Sequence, residues 1–349
     1  MEPLYPTSST ARDHWIITQR PQRNALDPTR PYAFLVEDEH SATKEIVPVA
    51  TLFLTNRECP WRCLMCDLWK STLTETVPIG AIPAQIDYAL AQLPPARQIK
   101  LYNSGSFFDP NAIPPQDHDT IAKQTANFER VIVECHPFLI GQSCFQFKSK
   151  LEELNTCHSE RSEEPPHFAR SADTASLSNS YTKLEVAMGI ETVHPQILAK
   201  LNKRMTTDQF AKAADLLLKN NIDLRVFILV KPPFMREEES LEWAARSLDF
   251  AFDCGATAAT LIPTRAGNGA MEALEAAGDF SPPRLTTLEA AATYGLTLNR
   301  GRVFADLWDL NPSTACPHCY EARIERLRSM NLHQIIPAPI TCQHCEATR

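Results

Sequence analysis

VPVATLFLT, residues 47–55, runs directly into NRECPWRCLMC, residues 56–66, and this junction decides how the rest of the chain is read. The first nine residues are almost wholly apolar, the pattern of a strand covered on both faces. Three thiols, Cys59, Cys63 and Cys66, follow at once. Further short apolar strands are marked at 101, 131–133, 184–188, 224–230 and 258–262. Helical periods lie between them. Residues 82–93 are apolar at 82, 86, 90 and 93, and 116–128 is a weaker case. Two helical stretches fit within 195–220, and 237–252 places Leu241, Ala244, Ala245 and Leu248 on one face. Strand and helix thus alternate about six times, which argues for parallel βα units that close, or partly close, into a barrel with its chemistry at the C-terminal strand ends. We expect an α/β fold: a partial (βα)6 TIM-like barrel over 47–265, a lead-in over 1–46, and a C-terminal four-cysteine metal-binding extension over 266–349.

Two stretches interrupt the rhythm. Residues 155–182 are polar, Ser-rich and nearly free of aliphatic side chains, and a CHSERSEEPPHFARS core there looks like a translated intergenic repeat; we expect a flexible insertion. Residues 267–283 form a second loop, rich in Gly, Asp and Pro, leading toward the C-terminal part.

Composition narrows the classes. The 349 residues are 44% hydrophobic and 22% charged, enough to bury a large core and to exclude global disorder. No apolar run approaches the roughly eighteen residues needed to span a bilayer. The N-terminal MEPLYPTSSTARDHW has no apolar signal region, so a cytoplasmic location is expected, with no membrane association. In that reducing setting eleven cysteines are thiols or metal ligands rather than disulfides. A net charge of −8 argues against a broad basic face for nucleic acid.

Seven cysteines fall in two clusters. Three thiolates on the short loop Cys59-Pro-Trp-Arg-Cys63-Leu-Met-Cys66 suit an iron–sulfur cluster better than zinc. Structural zinc takes four protein ligands, whereas a cubane held by three leaves one iron open to a substrate or cofactor. The alternative is a three-cysteine zinc site completed by a distant histidine. The second cluster pairs Cys316-Pro-His-Cys319 with Cys342-Gln-His-Cys345 around a helix at 320–330. Its four thiolates suit tetrahedral zinc, which we favour, or an auxiliary iron–sulfur cluster, with His318 and His344 as neighbours of the ligands. Between the clusters, Asn103-Ser104-Gly105-Ser106 reads by itself as a turn. Glu134 closes a strand, where a carboxylate either accepts from ribose hydroxyls or is simply solvated.

Cys-x3-Cys-x2-Cys after the first strand of such a barrel resembles the radical S-adenosylmethionine enzymes, with Met65 where that superfamily usually carries an aromatic residue. The resemblance implies a 4Fe-4S cluster on Cys59, Cys63 and Cys66 whose open iron chelates the amino and carboxylate groups of S-adenosylmethionine. One electron, from a ferredoxin- or flavodoxin-type donor, then cleaves the sulfonium to a 5′-deoxyadenosyl radical. It also implies that Asn103, Ser104, Gly105 and Ser106 receive the methionine amino group. LEVAMGIET at 184–192, running into LNKRMT at 201–206, resembles the fourth-strand segment of the elongator catalytic subunit and oxygen-independent coproporphyrinogen oxidase. That likeness makes Glu191 a ribose or methionine contact and Arg204 a partner of the cofactor carboxylate. VKPPF at 230–234 stands where the family places an adenine shelf, which brings Lys231 and Phe234 to the cofactor.

Outside the insertion the chain resembles the archaeosine synthase radical subunit family, through RPYAFLVE at 30–37, TNRECP at 55–60, NSGSFFDP at 103–110, GIETVHP at 189–195 and ACPHC at 315–319. This implies transfer RNA as substrate, a tRNA-modifying partner subunit, and radical cleavage of a lysine carbon–nitrogen bond on a deazaguanine. An acidic chain would then need a local basic patch or that partner to hold RNA. Two other readings stand beside it: a radical enzyme acting on a small metabolite, and a non-catalytic iron–sulfur and zinc scaffold.

Overall fold

The computed structural model describes residues 5–159, 182–310 and 316–346. Eight strands form one sheet in chain order: β1 (Ala33–His40), β2 (Ile46–Phe53), β3 (Gln98–Tyr102), β4 (Arg130–Glu134), β5 (Lys183–Glu191), β6 (Asp223–Val230), β7 (Ala258–Pro263) and β8 (Arg302–Ala305). The β1–β2 pair is antiparallel, and every later neighbour is parallel. The helices are α1 (Ser9–Gln19), α2 (Ala81–Leu90), α3 (His118–Thr125), α4 (Gln142–Ser159), α5 (Pro195–Lys200), α6 (Thr207–Lys219), α7 (Glu237–Asp253), α8 (Ala270–Ala276), α9 (Leu285–Leu298), α10 (Tyr320–His333) and α11 (Gln343–Glu346).

Local sequence explains these elements. Helix α6 starts at a reciprocal cap between Thr206 and Gln209 and buries Phe210, Ala213, Ala214 and Leu217, a stripe at helical spacing. Such stripes meet the outer face of the sheet. Leu52, Leu101, Val133, Val186, Val226 and Leu261 share one core with Ile86, Phe147, Phe210, Leu248 and Leu288.

The inner face is concave, and its charges show it. Glu39 on β1 and Arg225 on β6 are five strands apart, roughly 24 Å in a flat sheet, yet they form a 2.6 Å ion pair. Across the same hollow, Arg225 meets Glu185 at 2.6 Å and Arg302 meets Glu185 at 2.8 Å. Lys100 meets Glu39 at 2.5 Å, and Arg130 meets Asp223 at 2.5 Å. The sheet is therefore a curled half-barrel floored by buried ion pairs. Burial works against the Glu39 charge, but Arg225 and Lys100 outweigh it and hold the carboxyl down to about 2.

The expected partial barrel is present and has more strands than six βα units supply. β8 lies in the stretch expected as an extension, and β1 lies in the expected lead-in. Helix α8 occupies part of the loop expected at 267–283, and α4 runs to Ser159, into the expected insertion. The rest of that insertion, 160–181, lies outside the described residues. Helix α10 covers the outer edge of β8. Asn331 Oδ1 accepts from the Ala305 N–H and its Nδ2 donates to the Ala305 carbonyl, and Gln334 does the same for Val303. Two amide side chains thus occupy an edge that would otherwise invite another strand. No helix among the described residues is long and apolar enough to cross a membrane.

Candidate active site

The loop carrying Cys59, Cys63 and Cys66 leaves the C-terminal end of β2 and lies over the open end of the half-barrel. Two side-chain amides from distant segments hold its backbone. Asn202 Nδ2 donates to the Arg62 carbonyl at 2.7 Å, and Asn268 Nδ2 donates to the carbonyls of Leu64 (2.8 Å) and Cys66 (3.1 Å). The Leu64 N–H donates to the Leu201 carbonyl. Leu64 itself is buried with Tyr5, Ile16, Met271 and Phe280, so α1 and α8 seal one side. Met65 packs against the cluster of Ile197, Leu201, Leu229 and Met235. Upstream, Glu58 is clasped by Arg20 (2.8 Å), Arg23 (2.7 Å) and Arg62 (3.1 Å).

All three cysteines are free and half-buried. Burial pushes their thiols up, Cys63 to about 12, so as lone side chains they stay protonated near neutral pH and need a metal to become thiolates. Their sulfurs do not all lie within 4.8 Å of one another. Trp61 stacks on His136, with centroids 3.8 Å apart and planes 8° apart, and covers the loop from the β4 side. Burial, then the nearby Lys203, pushes His136 down to about 3, so this ring is a neutral structural plate.

The 103–106 turn touches the cysteine loop. A Cβ on Gly105 would stand 3.1 Å from Cys59 Cβ, an approach that glycine makes comfortable. Glu134 Oε1 accepts from the N–H groups of Asn103 (2.6 Å) and Gly105 (3.4 Å), and burial raises its pKa to about 7. Ser104 Oγ shares a 3.1 Å hydrogen bond with Tyr32, and Ser106 Oγ accepts from the His136 N–H. Asn103 is fully buried, and neither Oδ1 nor Nδ2 has a hydrogen-bond partner.

At the end of β5, past a register shift, Glu191 meets Lys203 at 2.5 Å, and both are buried. Burial opposes the Lys203 charge, yet Glu191 outweighs it and keeps the ammonium protonated. The neighbouring Arg204, expected at the cofactor carboxylate, pairs with Asp13 of α1, with its side chain 44% exposed. Lys231 is buried and donates to Ser281 Oγ (2.5 Å) and the Ser281 carbonyl (2.7 Å), tying β6 to the loop before α9. Phe234 lies beside Tyr5, 5.4 Å between centroids, under the N-terminal segment. Ser104, Glu191, Asn202, Arg204, Lys231 and Phe234 all have positive φ, between 53° and 69°. Such backbone is costly for residues with a Cβ, and these six are among eleven non-glycine positions with positive φ among the described residues.

The four C-terminal cysteines converge, their sulfurs all within 4.8 Å of one another. Cys316 and Cys342 sulfurs are 3.9 Å apart, and those of Cys319 and Cys345 are 3.5 Å apart. Arg323 Nε donates to Cys319 Sγ at 3.2 Å, while Arg323 and Arg326 share the buried Glu289 of α9. Their guanidinium groups also donate to the carbonyls of Pro337, Ala338 and Ile340, fixing the chain between the knuckles. His318 and His344 stack on each other at 3.7 Å.

An uncharacterised protein of Methanocaldococcus jannaschii is 22% identical over 282 residues, 76% of this chain and 70% of that protein. The archaeosine synthase subunit beta of Methanosarcina acetivorans is 25% identical over 248 residues, 68% of this chain; the chain spans 64% of that relative's length. Among solved structures, coproporphyrinogen III oxidase of Escherichia coli, a radical S-adenosylmethionine enzyme, is 9% identical, covering 70% of this chain and 50% of that one with a TM-score of 0.41. No protein-family model matches. The cysteine loop thus follows the first parallel strand of a curled parallel sheet. The named relatives to which the chain is similar include the archaeosine synthase subunit beta.

Proposed function

We propose that the chain is a radical S-adenosylmethionine enzyme modifying a transfer RNA nucleoside by archaeosine-synthase-like carbon–nitrogen lyase chemistry. The reading is carried by the three thiols after β2, backed by a turn in contact with Cys59 and by a buried lysine–glutamate pair.

The residues present suit the cofactors. Four sulfurs at about 2.3 Å from one ion stand about 3.8 Å apart, whereas sulfurs on separate irons of a cubane are more widely spaced. The wider spread at Cys59, Cys63 and Cys66 suits three corners of a 4Fe-4S cluster. The orphaned Asn103 amide offers a donor and an acceptor to a ligand such as the amino-acid end of S-adenosylmethionine. Cluster and S-adenosylmethionine, when bound, would supply reductive sulfonium cleavage to a 5′-deoxyadenosyl radical.

The chain's own side chains would do the rest. Asn202 and Asn268 fix the loop's carbonyls, Glu134 fixes the turn, and Lys203 supplies positive charge beside Cys63 and Cys59. Trp61, His136, Leu64 and Met65 limit water at the loop. The C-terminal sulfur separations of 3.5 and 3.9 Å bracket a tetrahedron edge around one ion, and we assign zinc there, with Arg323 offsetting thiolate charge. The remaining proposals are a cytoplasmic location, a ferredoxin- or flavodoxin-type donor, and a partner subunit that brings RNA.

Metal analysis of a C59A/C63A/C66A variant should find zinc without iron; retained iron would overturn the zinc assignment. Binding to bulk transfer RNA, alone and with a partner, should weaken steeply with salt. A flat response or no binding would favour the small-metabolite reading.

A further inference from the structure

Three arginines close on one carboxylate just ahead of the cysteine loop. Glu58 Oε1 accepts from Arg20 at 2.8 Å and lies 3.1 Å from Arg62 Nη1, and Oε2 accepts from Arg23 at 2.7 Å. Arg20 and Arg23 lie over the ring of the buried Trp69, 4.5 and 5.8 Å from its centroid. Arg23 Nη1 also donates to the carbonyls of Trp69 (3.1 Å) and Thr72 (3.0 Å). Arg62 Nη1 donates to the carbonyls of Cys59 (2.7 Å) and Trp61 (3.1 Å). Stacking and carbonyl bonds thus hold together guanidinium groups whose charges repel.

The charge balance sets this clasp apart. On the floor of the hollow, Lys100, Arg130, Arg225 and Arg302 are matched by Glu37, Glu39, Glu185 and Asp223. Beside the cysteine loop, Lys203 is matched by Glu191. Three guanidinium groups on one carboxylate leave two positive charges in excess, in a chain whose net charge is −8. That excess bears on the thiols. The Arg62 charge favours the thiolate of both Cys59 and Cys63, and Glu58 acts on Cys59 in the opposite sense. The C-terminal cysteines repeat the arrangement: Arg323 and Arg326 share the single Glu289, and Arg323 Nε donates to Cys319 Sγ. Surplus cations stand where thiolates gather.

We propose that the clasp of Arg20, Arg23 and Arg62 on Glu58 sets the reduction potential of the iron–sulfur cluster held by Cys59, Cys63 and Cys66, the arginines favouring its reduced form and Glu58 limiting that effect. This rests on the cluster reading of the three thiols. A thiolate-bound cluster becomes more negative when it takes an electron, so a nearby cation stabilises the reduced form and a nearby anion destabilises it. The test is a potentiometric titration of the full chain, reconstituted anaerobically with iron and sulfide and read by electron paramagnetic resonance. C59A/C63A/C66A serves as the blank for any signal from the C-terminal site. Glu58→Gln should move the midpoint to a less negative potential, and Arg20→Gln to a more negative one. The double variant R20Q/E58Q should return close to the wild type. Glu242→Gln, on an exposed pair with Arg246, should leave the midpoint unchanged. Opposite shifts separate charge from loosening, because a loop that merely relaxes would drift the same way in both single variants. Arg20 reaches Glu58 from the C-cap of α1, so Arg20→Gln keeps the Arg62, Asn202 and Asn268 hydrogen bonds of the loop and carries the test if Glu58→Gln takes up no iron. Midpoints that stay in place, or that move in one direction for both single variants, overturn the proposal. A wild type that takes up iron yet gives no reducible cluster signal overturns the cluster reading itself and the clasp's role with it, a failure distinct from an unmoved midpoint.

Discussion

A methyl group on Gly189 would lie 2.1 Å from Glu191 Oε1 and 2.5 Å from Lys203 Nζ, so Gly189→Ala must push apart the ion pair beside the cysteine loop. We expect that variant to fold and to lose most S-adenosylmethionine cleavage, while Ala187→Gly on the same strand leaves it nearly intact; equal turnover in both would remove Lys203 and Glu191 from the site. Asn268 works from the other side. Asn268→Leu leaves the Leu64 and Cys66 carbonyls without their donor, at a cost of about 1–3 kcal/mol. Reconstituted iron content should fall with the thermal midpoint. The thiols themselves were legible from spacing, since three cysteines within eight residues need no tertiary structure to be noticed. Asn202, Lys203 and Asn268 carried no such mark, because their partners lie 140, 12 and 204 residues away and only the barrel's winding brings them together.

Helix α10 behaves as a substitute ninth strand. An Asn331→Ala/Gln334→Ala double variant should speed hydrogen exchange at the Val303 and Ala305 amides while leaving β5 amides protected; unchanged exchange would mean that the edge is shielded otherwise. The same region shows what sequence patterning could not supply. Strands β2 to β7 are apolar on the outer face and register as hydrophobic runs. β1, AFLVEDEH, and β8, RVFA, put Glu39 and Arg302 into the floor of the hollow. A charged residue in a short strand looks like surface until a partner five strands away is known.

On the scale of the whole molecule, the floor ties six strands together by charge. Arg225→Met takes one cation from both Glu39 and Glu185, which keep Lys100 and Arg302, leaves the buried floor with one negative charge in excess, and should cost about 3–5 kcal/mol. Because the folded state holds Glu39 well below the usual carboxylate range, its contribution is complete above that range and is lost as pH falls toward about 2. Acid unfolding should therefore show a proton uptake that Glu39→Gln removes, and an unchanged acid midpoint in that variant would contradict the linkage. The parallel α/β architecture was readable because alternating strand and helix periods admit few topologies; the curl and the floor were not, since they exist only between strands. The most direct test is anaerobic incubation of the iron-reconstituted chain with dithionite and S-adenosylmethionine. The wild type should release 5′-deoxyadenosine and methionine, and C59A/C63A/C66A should release neither. A fully iron-loaded wild type that forms no 5′-deoxyadenosine, or a triple variant that still does, would contradict the account.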